Sequence, residues 1–91
     1  MKELFAEFKD NTILIKTVRF FYENPACVDT ADNIAGWIGE KKKSVKKILD
    51  FLVKHNVLNK DAAYVTEGYS FTQDKNLLLK IGNFLKDSEN V

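Results

Sequence analysis

Apolar positions recur at helical spacing through most of the chain and at a period of two in only one stretch. Leu4, Phe5 and Phe8 stand at i, i+1 and i+4, which predicts a short amphipathic helix over residues 1–10. So short a helix does not persist alone and must lie against another apolar surface. From Thr12 the set Leu14, Ile15, Val18, Phe21 and Tyr22 predicts a longer helix, closed by Pro25, which disfavours helix in the residue before it. After an extended Ala26-Cys27-Val28, either Asp29 or Thr30 can cap a helix with the stripe Ala31, Ile34, Ala35 and Ile38. Gly39 then has the residue type that a left-handed helix end requires.

A third helix is predicted over Lys42 to Lys54, with Val45, Ile48, Leu49 and Leu52 on its inner face and lysines outside. Val57 to Lys60 and Tyr69 to Thr72 alternate partly at period two around Asp61 to Gly68, which predicts a two-stranded hairpin. Thr72 or Asp74 can cap a final helix carrying Leu77, Leu78, Ile81, Phe84 and Leu85. The expected fold class is mainly α with a small β-hairpin. The expected layout is one domain over 1–91: an N-terminal helix (1–10), a core (12–72) and a C-terminal helix (73–87).

Composition narrows the function classes. Hydrophobic residues at 45%, charged residues at 30% and a single proline describe a folding chain rather than a disordered one. The single Cys27 cannot form an internal disulfide, and with the lone His55 it makes no zinc set, so no metal or cofactor is expected. No run approaches the ~18 apolar residues of a membrane span, and the Met1-Lys2-Glu3 start is unlike a signal peptide. The cytoplasm is the expected setting, without a membrane partner. Net charge is only +1, yet residues 40–54 hold six lysines against Glu40 and Asp50, so this block carries +4 and the rest −3.

Two helices joined by a glycine turn, the second basic outside and apolar inside, followed by a hairpin, make the order of a helix-turn-helix with a wing. Residues 12–72 resemble winged-helix DNA-binding domains of prokaryotic transcription regulators, in the run TADNIAGWIGEKKKSVKKILDFLVKHNVL followed by YSFT and a further helix. The resemblance implies that Ala35 lies where the two helices cross and Gly39 forms the turn. It makes Val45, Leu49 and Leu52 the buried face of a recognition helix, and Val57-Leu58 the first wing strand. LFAEF before this core and NLLLKIGNFLK after it are similar to small winged-helix regulators that pair through terminal helices.

On that reading Lys41, Lys42, Lys43, Ser44, Lys46 and Lys47 are the expected contacts to double-stranded DNA. Lysines neutralise phosphates and release counterions whatever the base sequence. Base readout is expected to be poor, because the helix has no Arg, Asn or Gln. Asp61 to Gly68 carries Asp61 and Glu67 and no cation, where wings of this family often carry Arg or Lys. Leu4, Phe5, Phe8, Leu77, Leu78, Ile81, Phe84 and Leu85 are the candidate dimerisation surface of a homodimer. The alternative is that they fold back on their own core.

Other side chains carry less. Phe20, Phe21, Tyr22, Trp37, Phe51, Phe71 and Phe84 are expected in the core or at a subunit contact, Trp37 at the edge of its stripe. Tyr64 and Tyr69 either stack on a base or pack their rings and expose their hydroxyls, the commoner outcome. His55 has no partner set for catalysis and Cys27 no electropositive surroundings, so no enzyme is expected. No residue set defines an effector site. The rival to DNA binding is a protein-interaction module that docks a partner through its hairpin and terminal helices.

Overall fold

The computed structural model describes residues 11–61 and 67–89, so the expected helix over 1–10 and Tyr64 lie outside the described residues. The described chain forms four helices and a three-stranded antiparallel sheet, an α+β arrangement: α1 Thr12–Glu23, β1 Val28–Asp29, α2 Ala31–Ile38, α3 Lys42–Lys54, β2 Leu58–Asp61, β3 Gly68–Phe71 and α4 Lys75–Glu89.

Local chemistry sets the ends of these elements. Asn11 accepts the Leu14 amide through Oδ1 at 3.0 Å, and at the far end the Asn24 amide reaches back to the Phe20 and Phe21 carbonyls just before Pro25. Asp29 and Thr30 share the start of α2. Thr30 Oγ1 accepts the Asn33 amide, while Asp29 Oδ1 accepts the Thr30 amide and the Asn33 side-chain amide. Gly39 closes α2 at φ 70, and both its amide and that of Glu40 close on the Ala35 carbonyl. Asn56 ends the turn after α3 at φ 65, a region asparagine tolerates better than most residues. Asp74 caps α4 by accepting the Leu77 amide, and Thr72 Oγ1 supports Asp74 by accepting its amide.

The core takes one face from each helix: Leu14, Val18 and Phe21 from α1, Ile34 and Ala35 from α2, Val45, Ile48, Leu49 and Leu52 from α3, and Ile81 and Leu85 from α4. Val57, Leu58, Tyr69 and Phe71 close it from the hairpin side, with the Phe21 and Phe71 rings stacked at 6.1 Å. α3 packs on both α1 and α2, and α4 packs on α1.

Three expectations need correction. The sheet has a third strand, because Val28 and Asp29 pair with Ser70 and Tyr69 and put β3 in the centre. Two residues are too few to show a period. The hairpin strands are Leu58–Asp61 and Gly68–Phe71, displaced by one residue from the expected Val57–Lys60 and Tyr69–Thr72, because the Val57 amide closes the end of α3 on the Leu52 carbonyl. The last helix runs to Glu89, two residues past the expected 87. Among the described residues no helix is long and apolar enough to cross a membrane.

Candidate nucleic-acid interface

The apolar repeat of α3 turns Val45, Ile48, Leu49 and Leu52 inward, which forces the intervening positions outward. Lys43, Lys47 and Lys54, spaced by four and seven residues, therefore share one stripe opposite the core, all exposed. Lys41, at the N-cap, is exposed too and makes no side-chain cap bond, since an ammonium offers no acceptor. None of these four makes an ion pair with a described residue.

The other expected contacts are placed differently. Lys42 reaches Asp32 of α2 at 3.1 Å, with both side chains about two-thirds exposed, so the pair is weak and separable. Ser44 is half-buried and lines a shallow recess with Asn11, Ile13, Lys47, Ile48 and Phe51, facing the start of α1. Lys46 is engaged within the chain. Its ammonium donates to Glu67 Oε2 at 2.8 Å, to the Tyr69 hydroxyl at 2.7 Å and to Asp50 Oδ1 at 3.4 Å. A lysine has three N–H donors, and all are engaged. Lys46 cannot meet a phosphate without giving one up.

Lys46 belongs to a cluster that joins α3 to the hairpin. Lys60 of β2 reaches the same Glu67 Oε2 at 3.0 Å and Asp50 Oδ1 at 3.6 Å, and the Tyr69 hydroxyl donates to Asp50 at 3.1 Å. Both ammoniums also lie near the Tyr69 ring, at 5.4 and 5.8 Å from its centre. The hydrogen bond to Glu67 first, and then that to Tyr69, push the Lys46 ammonium above the ordinary lysine value. Lys60 is raised by Glu67 as well, and Glu67 is lowered by its bonds to Lys46 and Lys60. Reading along the sequence finds only the Lys46–Asp50 spacing of four. Lys60 and Glu67 become neighbours through the strand register, which puts Lys60 opposite Tyr69.

No family model, curated protein or solved structure matches the chain. What the surfaces can do therefore follows from their own chemistry. Trp37, expected in the core or at a subunit contact, is 72% exposed at the end of α2, beside Phe20 and Ile38. Phe21 and Phe71 are buried, Phe20, Phe51 and Phe84 half-buried, and Tyr22 is exposed over somewhat less than half of its surface. Tyr69 is fully buried and does not stack on a base. Of the candidate dimerisation residues, Leu4, Phe5 and Phe8 lie outside the described residues. Ile81 and Leu85 are buried in the chain's own core and closed to a partner, while Leu77, Leu78 and Phe84 are half-buried.

His55 ends α3 with its ring 4.6 Å from that of Phe51. Cys27 is half-buried, and burial, then Asp29, raises its thiol above the usual value, the opposite of activation. Among the described residues no three His, Cys, Asp or Glu side chains converge as metal ligands.

Proposed function

We propose that this chain is a winged-helix protein that binds duplex DNA and acts as a transcription regulator, with α3 as the recognition helix. The observation that carries the reading is the stripe Lys43, Lys47 and Lys54, exposed and without described acidic partners on the face opposite the core. Lys41 and Lys42 extend it at the N-terminal end. The order α2, Gly39 turn, α3, β2, β3 supports the same reading, as it matches the layout expected of a helix-turn-helix with a wing. In the free protein Lys46 is engaged by Glu67, Tyr69 and Asp50, and Ser44 is half-buried. A homodimer presenting two such helices ~34 Å apart would double the phosphate contacts. For that role Leu77, Leu78 and Phe84 remain, together with Leu4, Phe5 and Phe8.

The test is binding of mixed-sequence duplex DNA followed by anisotropy against salt. Five lysine contacts per chain give a slope of about −4.5 in log affinity against log salt. Lys43→Glu with Lys47→Glu abolishes binding while circular dichroism stays unchanged. Absence of any binding by the wild type at ~50 mM salt refutes the proposal. The exposed Trp37, beside Phe20 and Ile38, favours a second reading as a protein-interaction module. Under it, binding to a partner is lost in Trp37→Ser and kept in the lysine variants.

A further inference from the structure

The Glu67 carboxylate occupies an unusual place for a surface acid. One oxygen, Oε2, receives the ammoniums of Lys46 and Lys60 at 2.8 and 3.0 Å, from two different elements. A phosphate oxygen is an anionic acceptor of the same kind, which lysine binds as a point charge. Asp50 stands behind them as a fixed counter-charge, anchored by the Tyr69 hydroxyl. With Glu67 in place two cations face two anions, and without it the group carries +1. We infer that Lys46 and Lys60 form a phosphate site, which the Glu67 carboxylate fills in the free protein and a backbone phosphate of duplex DNA fills in the complex.

Three further features support an exchange. Glu67 precedes β3, and the last hairpin pair is Asp61 with Gly68, so its side chain can swing away without breaking a ladder hydrogen bond. Its side chain is 46% exposed, which gives an incoming anion access. Lys46 follows Lys43 by three residues on α3, a spacing that makes the two neighbours on the helix surface, so the site flanks the lysine stripe. The acidic hairpin that counts against a DNA-binding wing then acquires a role. Glu67 screens two lysines from adventitious anions and yields them to a phosphate that the stripe has already drawn in.

The ligand's identity rests on the DNA reading above, whereas the existence of the anion site does not. Two probes keep them apart. Inorganic pyrophosphate is titrated into wild type and Glu67→Gln while the Lys46 and Lys60 ammonium nitrogens are followed by NMR. Both resonances are expected to move in Glu67→Gln at concentrations that leave the wild type unchanged. Duplex binding is measured in parallel, and Glu67→Gln is expected to bind about five- to tenfold tighter at 0.1 M salt, with a slope steeper by about 0.9. Adding Lys60→Gln, which leaves Lys46 and the buried ring intact, must remove most of that gain. Because Lys60→Gln restores the wild-type net charge, long-range charge is read from Asp87→Asn, which adds the same charge at the end of α4, outside the cluster: an equal gain there overturns the inference, as does the absence of any pyrophosphate response. A pyrophosphate response with duplex affinity equal in wild type and Glu67→Gln overturns the DNA phosphate as ligand and assigns the site to a free phosphate. A response with no duplex binding in either protein keeps the anion site and refutes the DNA reading.

Discussion

Lys46 Nζ lies 2.7 Å from the hydroxyl of Tyr69, whose residue is fully buried, so the middle of the basic helix is tied to the central strand of the sheet. The contact does two things at once. It engages one ammonium of the basic helix within the fold, and it joins β3 to α3.

Tyr69→Phe keeps the ring and removes the hydroxyl, leaving Lys46 one acceptor short and Asp50 one donor short. The expected loss is about 1–2 kcal/mol in urea unfolding, because a hydrogen bond to a charged group stabilises more than a neutral one. A change under about 0.3 kcal/mol would show that water replaces the hydroxyl without cost.

The cluster also sets a pH dependence. Lys46, Asp50, Lys60, Glu67 and Tyr69 face one another there from α3, β2, β3 and the residue before β3. Because folding lowers Glu67, its contribution is fully present above the ordinary carboxylate value of about 4.3 and is lost as pH falls through the lowered value. Lys46 and Lys60 are raised, so theirs is present below about 10.4 and lost as pH rises through the raised values. The stability difference between wild type and Glu67→Gln should therefore be flat across neutral pH and shrink in acid. A difference that grows below pH 4 contradicts this assignment.

Two glycines with equally open surroundings should respond in opposite senses. A Cβ at Gly36 or at Gly39 meets nothing within 4 Å, but Gly39 sits at φ 70 while Gly36 lies inside α2. Gly39→Ala should cost about 1 kcal/mol through backbone strain alone. Gly36→Ala should stabilise by about 0.5–1 kcal/mol, since alanine loses less conformational freedom in a helix. Equal effects in thermal unfolding would sink the argument.

Gly82 is different again, for a Cβ there would lie 2.7 Å from the Tyr22 hydroxyl. Tyr22 is 45% exposed, so its hydroxyl can move aside at some cost. Gly82→Ala should therefore be close to neutral in the wild type, helix propensity offsetting the displaced ring. In a Tyr22→Phe background it should be more favourable than in the wild type, gaining at most about 0.5–1 kcal/mol, since the ring Cζ at 3.3 Å still has to give. Additivity of the two substitutions would mean that α1 and α4 are less closely apposed than this.

Much of the element order could be read from the sequence because it depends on near neighbours. The stripe Val45, Ile48, Leu49 and Leu52, the cap at Thr30, the proline after Asn24 and the glycine at 39 each act within a turn or two of chain, and the helices form where those patterns place them. The same locality shows which lysines point away from the core. It does not show which are spent.

That was decided by strand pairing. Whether Lys46 meets a ligand or Glu67 depends on Lys60 standing opposite Tyr69, a register that links residues 21 and 23 positions from Lys46 and leaves no periodic trace in the chain. β1, the burial of Ile81 and Leu85 within the chain, and the exposure of Trp37 belong to the same class. Hydrophobic pattern tells a residue which side of its own element to bury, whereas the partner across the gap is chosen only when the elements dock.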